Sequence, residues 1–163
     1  MRWFLIDRFI CLEKGKRAVA LKNVTLGEDH IHDSFPGFPM MPAPLIIESM
    51  AQTGGMLAGY TFDFKERVIL AKVDRAVFFD FVLPGDQMRL EAELVEIRQE
   101  GCRTEGTVTV DGRKIAQIRL MFAHLPAEDA GANFVFTREF LSVFLTSLPL
   151  EGMPVGSGSA KDA

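Results

Sequence analysis

Asp33-Ser34-Phe35-Pro36-Gly37-Phe38-Pro39-Met40-Met41-Pro42-Ala43-Pro44-Leu45-Ile46-Ile47-Glu48-Ser49-Met50-Ala51-Gln52, residues 33–52, is the stretch whose reading decides the fold. Pro36, Pro39 and Pro42 remove backbone donors and fix φ every third residue. Residues 28–42 are therefore expected to form an ordered loop without a regular helix or central strand. Helical periodicity begins at Pro44, which suits a first turn because its missing N–H would have no partner there. The helix is predicted to run to about Tyr60. Leu45, Ile46, Ile47, Met50, Ala51, Met56, Leu57 and Ala58 make it apolar almost all round, with Glu48, Gln52 and Thr53 as exceptions. Such a helix is buried. Ala51, Gly54, Gly55, Ala58 and Gly59 lower helix propensity but let a sheet approach closely. A sheet wrapped around one central helix uses both properties.

Upstream, Phe4-Leu5-Ile6 and Phe9 to Leu12 lead through Glu13-Lys14-Gly15-Lys16 into a partly alternating run, Ala18 to Leu26, which predicts an opening hairpin. Downstream, Val68 to Val73, Phe78 to Val82, Met88 to Ile97, Arg103 to Val110 and Lys114 to Phe122 read as strands. Pro84-Gly85-Asp86, Gly101 and Asp111-Gly112 punctuate them, the last a two-residue hairpin turn. Hairpin, long buried helix, then consecutive strands is an α+β order with an antiparallel sheet. Residues 1–125 form the main domain. Residues 126–150 are an extension with a helix over Phe134 to Leu148, where Thr137 is a candidate N-cap. Residues 151–163, rich in Gly, Ser and Pro, are expected to be a disordered tail.

The chain of 163 residues carries 18 Lys and Arg against 22 Asp and Glu, a formal net charge of −4. That balance argues against a nucleic-acid binder, which needs a basic stripe. Lys14, Lys16 and Arg17, with Arg75, Arg98 and Arg103, are local candidates for an acidic or phosphate-bearing partner, although each alone is more often a solvated surface charge. Cys11 and Cys102 are the only cysteines and have no metal-type spacing, so a reduced, cytoplasmic setting and no metal are expected. Asp7 and Arg8 interrupt the apolar patch Trp3 to Ile6 before a signal core forms, and no run is long enough to insert in a membrane.

Glu48 among Ile46, Ile47, Met50 and Ala51 is the chemically conspicuous residue. A buried ionised carboxylate is costly, so it is expected to be neutral, hydrogen-bonded or engaged in proton transfer. A plain polar tie to the proline-rich loop is the bland alternative.

Phe35-Pro36-Gly37, Met41-Pro42 and Leu45-Ile46-Ile47-Glu48 with Met50-Ala51-Gln52 resemble the 3-hydroxyacyl-[acyl-carrier-protein] dehydratases of the FabZ/FabA type. Phe4 to Arg8, Gly15-Lys16-Arg17, Lys22-Asn23-Val24-Thr25, Leu83-Pro84-Gly85-Asp86-Gln87 and Val110-Asp111-Gly112 follow in the same order, so the resemblance covers about residues 3–123. It implies a hotdog fold, an antiparallel sheet around the long helix. It also implies a homodimer, with a trimer of dimers as a further assembly, whose active sites lie at the dimer interface.

In that family a histidine before Phe-Pro-Gly takes the proton next to the thioester carbonyl. The neighbouring subunit's helix carboxylate helps the β-hydroxyl leave as water, and a helix-start amide stabilises the enolate oxygen. On this chain the resemblance makes Glu48 the carboxylate and the Ala43 amide the oxyanion donor, where the family usually has glycine. Phe35, Pro36, Gly37, Met41, Pro42 and Gln52 become substrate-binding positions. Ser34 stands where the histidine would be, and a hydroxyl is far too weak a base at neutral pH. Losing general-base catalysis typically removes about 10²- to 10⁴-fold in rate.

His32 is the candidate substitute. Residues 30, 32 and 34 share a face if the segment is extended, but a two-residue step of roughly 6–7 Å means that only a bulge or shifted register brings His32 into place. Both His30 and His32 are otherwise expected at the rim or surface. The expected function is acyl-thioester chemistry without a cofactor, on acyl carrier protein or CoA thioesters, in fatty-acid, lipid or polyketide-type biosynthesis. A hotdog thioesterase using Glu48, with Ser34 holding water, and a non-catalytic acyl-binding, dimerising subunit remain alternatives. Phe62, Phe64, Phe78, Phe79 and Phe81 are candidates to line an acyl tunnel, or else core.

Overall fold

A computed structural model describes residues 4–125, 136 and 138–144. The predicted disordered tail and most of the predicted extension lie outside the described residues. Six strands and three helices run in the order β1 (Arg8–Glu13), β2 (Arg17–Asn23), α1 (Asp29–Asp33), α2 (Ala43–Thr61), β3 (Arg67–Phe78), β4 (Gln87–Arg98), β5 (Gly101–Val110), β6 (Arg113–Leu125) and α3 (Arg138–Phe144). The strands form one antiparallel sheet ordered β1-β2-β4-β5-β6-β3. The chain thus leaves β2 near one edge, crosses as α2, and returns as β3 on the opposite edge. α2 packs against β2 through β6, giving the helix-in-sheet arrangement expected.

Turn chemistry sets the register. Asp111 and Gly112 both have positive φ, 49° and 76°, the paired left-handed residues that a two-residue hairpin between β5 and β6 requires. Pro84-Gly85 places a proline before a glycine at φ 98°, and the Asp86 amide closes the turn on the Leu83 carbonyl at 3.0 Å.

The small residues of α2 split by face. Gly54 turns toward the sheet, where a Cβ would lie 3.1 Å from Thr104 Oγ1 and 3.2 Å from the Phe122 ring. Met50, Met56 and Leu57, fully buried, continue that contact with Met88, Leu90 and Leu120. Each such side chain contributes roughly 1.5–3 kcal/mol by leaving water. The tightest backbone approach is at Gly101, where a Cβ would fall on the Phe122 carbonyl oxygen of β6. That oxygen cannot move without disturbing β5–β6 pairing. Gly101→Ala is expected to cost about 3 kcal/mol, measured as a lowered midpoint in chemical denaturation.

Two sequence expectations need correction. Residues 29–33, before the first proline, form the short helix α1, because the proline restriction begins only at Pro36. The two predicted strands Val68 to Val73 and Phe78 to Val82 are one strand, β3, which follows β6 through two register shifts and ends at Phe78. Phe79 makes one further bond to the Ile115 carbonyl, and Phe81 lies beyond the strand, so no strand face joins Val77, Phe79 and Phe81. The C-terminal helix is described only over α3, and Thr137 lies outside the described residues.

Candidate active site

α2 begins in a way that leaves one amide available. Pro42 is the N-cap, Pro44 has no N–H, and the Leu45 and Ile46 amides both donate to the Pro42 carbonyl at 2.9 and 3.1 Å. The Ala43 amide is the remaining donor of this turn, at the positive end of a 19-residue helix. Ala43 lines a cavity of about 300 Å³ together with Met40, Met41, Ile46, Phe78, Phe79, Asp80 and Phe81. The wall is held by the Met41 amide, which donates to the Val82 carbonyl at 2.9 Å. Phe38 and Phe81 meet edge to face at 5.6 Å, joining the proline-rich loop to the cavity rim.

Phe35-Pro36-Gly37-Phe38 is itself a turn. Gly37 has φ 82°, and the Phe38 amide donates to the Phe35 carbonyl at 3.0 Å. Phe35, Pro36 and Gly37 are exposed and line none of the cavity, whereas buried Met41 lines it and Pro42, also buried, does not. Ser34 is the exposed C-cap of α1, at φ −74° and ψ −36°. Upstream, buried Lys22 anchors α1: its Nζ lies 2.5 Å from both Glu28 Oε1 and the Asn23 carbonyl, while Glu28 Oε2 accepts the Thr25 amide.

The helical conformation of α1 removes the shared face that an extended segment would give residues 30, 32 and 34. At about 100° per residue His32 points away from Ser34, and His30, one turn back, shares its side. His32 is exposed, and His30 Nε2 lies 3.8 Å from Glu28 Oε2. His32 is therefore not placed beside the Ser34 hydroxyl.

Glu48 is exposed rather than buried, because it shares with exposed Pro44 a stripe of α2 that no strand covers. Its Oε1 accepts a 3.1 Å hydrogen bond from Gln52 Nε2, and Gln52 Oε1 accepts the Leu5 amide at 2.9 Å. Gln52 is only 5% exposed. The carboxamide expected to contact substrate is thus a tie between the carboxylate and residues 4–7.

Asp80 and Ile46 are cavity residues that sequence reasoning missed. The Phe81 amide, and secondarily Arg113, hold the Asp80 carboxyl below the usual carboxylate range, so it is ionised at neutral pH and a poor general base. Ile46 reads as core from its apolar neighbours. Phe78, Phe79 and Phe81 line the cavity as expected, but Phe62 and Phe64 do not. Phe62 meets His124 edge to face at 4.2 Å, and Phe64 lies against Gly59 near the far end of α2.

The cationic candidates are largely neutralised. Lys14 pairs with Asp63, Arg17 with Glu13 at 2.7 Å, and Arg98 and Arg103 share Glu96. Among the described residues no His, Cys, Asp and Glu cluster could hold a metal ion, and no helix is long and apolar enough to cross a membrane.

Residues 2–119 match the model of the FabA-like domain. The chain is 41% identical over 122 residues to a 3-hydroxyacyl-[acyl-carrier-protein] dehydratase FabZ of Halalkalibacterium halodurans, covering 74% of this chain and 87% of that protein. Among solved structures it is similar to a Streptococcus mutans protein bound to acetyl CoA. That match has a TM-score of 0.63 and 16% identity over 77% of this chain and 94% of the other. A hypothetical thioesterase with coenzyme A from Streptococcus pneumoniae matches with a TM-score of 0.59 and 10% identity, over 72% and 86%. At such identities these structures establish the hotdog fold alone.

Proposed function

The chain belongs to the FabA-like family, and on that premise we propose that it is an acyl-thioester protein of the 3-hydroxyacyl-[acyl-carrier-protein] dehydratase class in which Ser34 replaces the proton-abstracting imidazole. The observation that carries this reading is the start of α2. There Ala43, whose amide is the turn's available donor, lines an apolar cavity and stands five residues ahead of a carboxylate, Glu48. The thioester carbonyl oxygen accepts the Ala43 N–H, whose strength grows as negative charge develops on that oxygen. With no imidazole at position 34, the C2 proton passes slowly to solvent water, and the C3 hydroxyl departs protonated with the help of Glu48, which yields the enoyl thioester and water. Apolar Met40, Ile46, Phe78, Phe79 and Phe81 receive the acyl chain. The pantetheine arm belongs to acyl carrier protein or CoA, and the expected setting is fatty-acid, lipid or polyketide-type biosynthesis.

In this reading two copies pair. β3 is an edge strand exposed on both faces, with Ile69, Leu70 and Val73 presenting apolar surface beside unpaired backbone groups. An edge of that length and character favours strand pairing with a second copy. Val73→Asp is expected to convert a dimer to a monomer, read by light scattering as a halved mass. An unchanged mass overturns pairing through β3.

Purified protein offered 3-hydroxyacyl and acyl thioesters tests the function, with enoyl product and free thiol followed separately. The reading expects enoyl product, slow in the natural chain. Ser34 also favours a second reading, thioester hydrolysis, because that chemistry needs no imidazole. Free thiol lost on Glu48→Gln would replace the dehydratase reading with it. Acyl-carrier binding without either product would leave a non-catalytic subunit.

A further inference from the structure

Glu48, Gln52, Gly55 and Gly59 lie on one stripe of α2, at the i, i+4, i+7 and i+11 spacing of a single helix face. The sheet does not cover this stripe. Two other parts of the chain do. Residues 4–7 reach it through the Leu5 amide, which donates to Gln52 Oε1 in a buried bond. Phe136 lies against it, so close to Gly55 that any Cβ there would collide with its ring.

α3 then grips the same N-terminal residues. Phe144 is 3% exposed and meets Phe4 edge to face at 5.6 Å and Phe9 at 6.3 Å, while Leu141 is fully buried. Phe136 and α3 lie beyond residues 2–119, the span of the family match.

We propose that α3, through Phe144, holds residues 4–7 so that Gln52, bonded to the Leu5 amide, stays aimed at the Glu48 carboxylate and acts as its positioning residue. The proposal deepens the reading of Glu48 as the acid of a dehydratase-class site and rests on it for its catalytic consequence. An exposed carboxylate on a helix samples several rotamers, and a donor at i+4 selects among them. Gln52 can serve as that donor only while its own carboxamide is oriented. The Leu5 amide fixes which end is oxygen, since an N–H bonds the carbonyl end and turns the NH₂ toward Glu48. The aromatic contacts of Phe144 with Phe4 and Phe9 in turn hold the backbone on both sides of Leu5 in place.

The experiment compares natural chain, Phe144→Ala and the milder Phe144→Leu by amide hydrogen exchange and by the ¹⁵N signal of the Gln52 carboxamide, assigned through Gln52→Leu. In Phe144→Ala, exchange at the Leu5 amide is expected to accelerate by about tenfold or more, while β5 and β6 amides keep their protection. The Gln52 carboxamide signal moves toward its position in Glu48→Ala. In a Ser34→His background, Phe144→Ala lowers kcat for enoyl formation with KM within about twofold, and Phe144→Leu restores it. If Phe144→Ala does not fold, Phe144→Leu shows the same changes at smaller size. Unchanged Leu5 exchange and an unmoved Gln52 signal in a variant whose Leu141 amide has lost protection overturn the proposal. Absence of turnover in every background overturns the dehydratase reading instead, and the exchange and NMR results still decide the positioning role.

Discussion

Ser34→His is expected to raise the rate of enoyl-thioester formation by about 10²- to 10⁴-fold, the span that a positioned general base supplies. The substitution meets little structural resistance. Ser34 is exposed, its backbone is in the ordinary right-handed region, and its side chain makes no contact in the core. Stability should change by no more than about 0.5 kcal/mol, as for other exposed positions. α1 is already held in place by the Lys22–Glu28 pair, and the following Pro-Gly turn is tied to the cavity rim through Phe38 and Phe81. The introduced imidazole therefore enters a segment whose position does not depend on it. Enoyl absorbance under saturating 3-hydroxyacyl thioester is the measurement. No gain sinks the account in which only the base is absent.

Glu48→Gln, made in the Ser34→His background, is expected to remove about 10²-fold or more of that gained rate, because a carboxamide cannot deliver a proton to the departing hydroxyl. The change is nearly isosteric. Its carbonyl end still accepts from Gln52 Nε2, so the link to the Leu5 amide is kept and the loss reports chemistry rather than position. KM should move little. An unchanged kcat would mean that the hydroxyl leaves without help from this helix, and Glu48 would revert to a surface residue.

Much of the fold is legible in residues that restrict the backbone. Asp111-Gly112 and Pro84-Gly85 adopt the turns their φ preferences demand, and Pro44 starts a helix where a missing donor is harmless. Gly54 marks the helix face that meets the sheet, although Gly55 and Gly59 look identical in sequence and face elsewhere. What local pattern cannot carry is the outcome of tertiary competition. α1 forms although short because Lys22 and Glu28 hold its start. Phe79 and Phe81 share apolar character with a strand they do not belong to, since pairing with β6 ends just before them.

The site divides in the same way. Ala43 and Met41, singled out from the proline-rich string, line one cavity, and their roles toward a substrate belong to the proposed function. Glu48 looks buried because its sequence neighbours are apolar, yet helix neighbours one residue apart face different directions, and its own stripe, which the sheet does not cover, is exposed at Glu48. Gln52 looks like a substrate contact until the Leu5 amide, 47 residues away in sequence, is seen to occupy its oxygen.

The most direct test of the central claim is deuterium exchange at C2 of a saturated acyl thioester, which reports proton abstraction without requiring water loss. The account predicts slow exchange with the natural chain and exchange about 10²-fold or more faster with Ser34→His, unaffected by His32→Ala. Exchange by the natural chain as fast as by Ser34→His, or exchange abolished by His32→Ala, would contradict it.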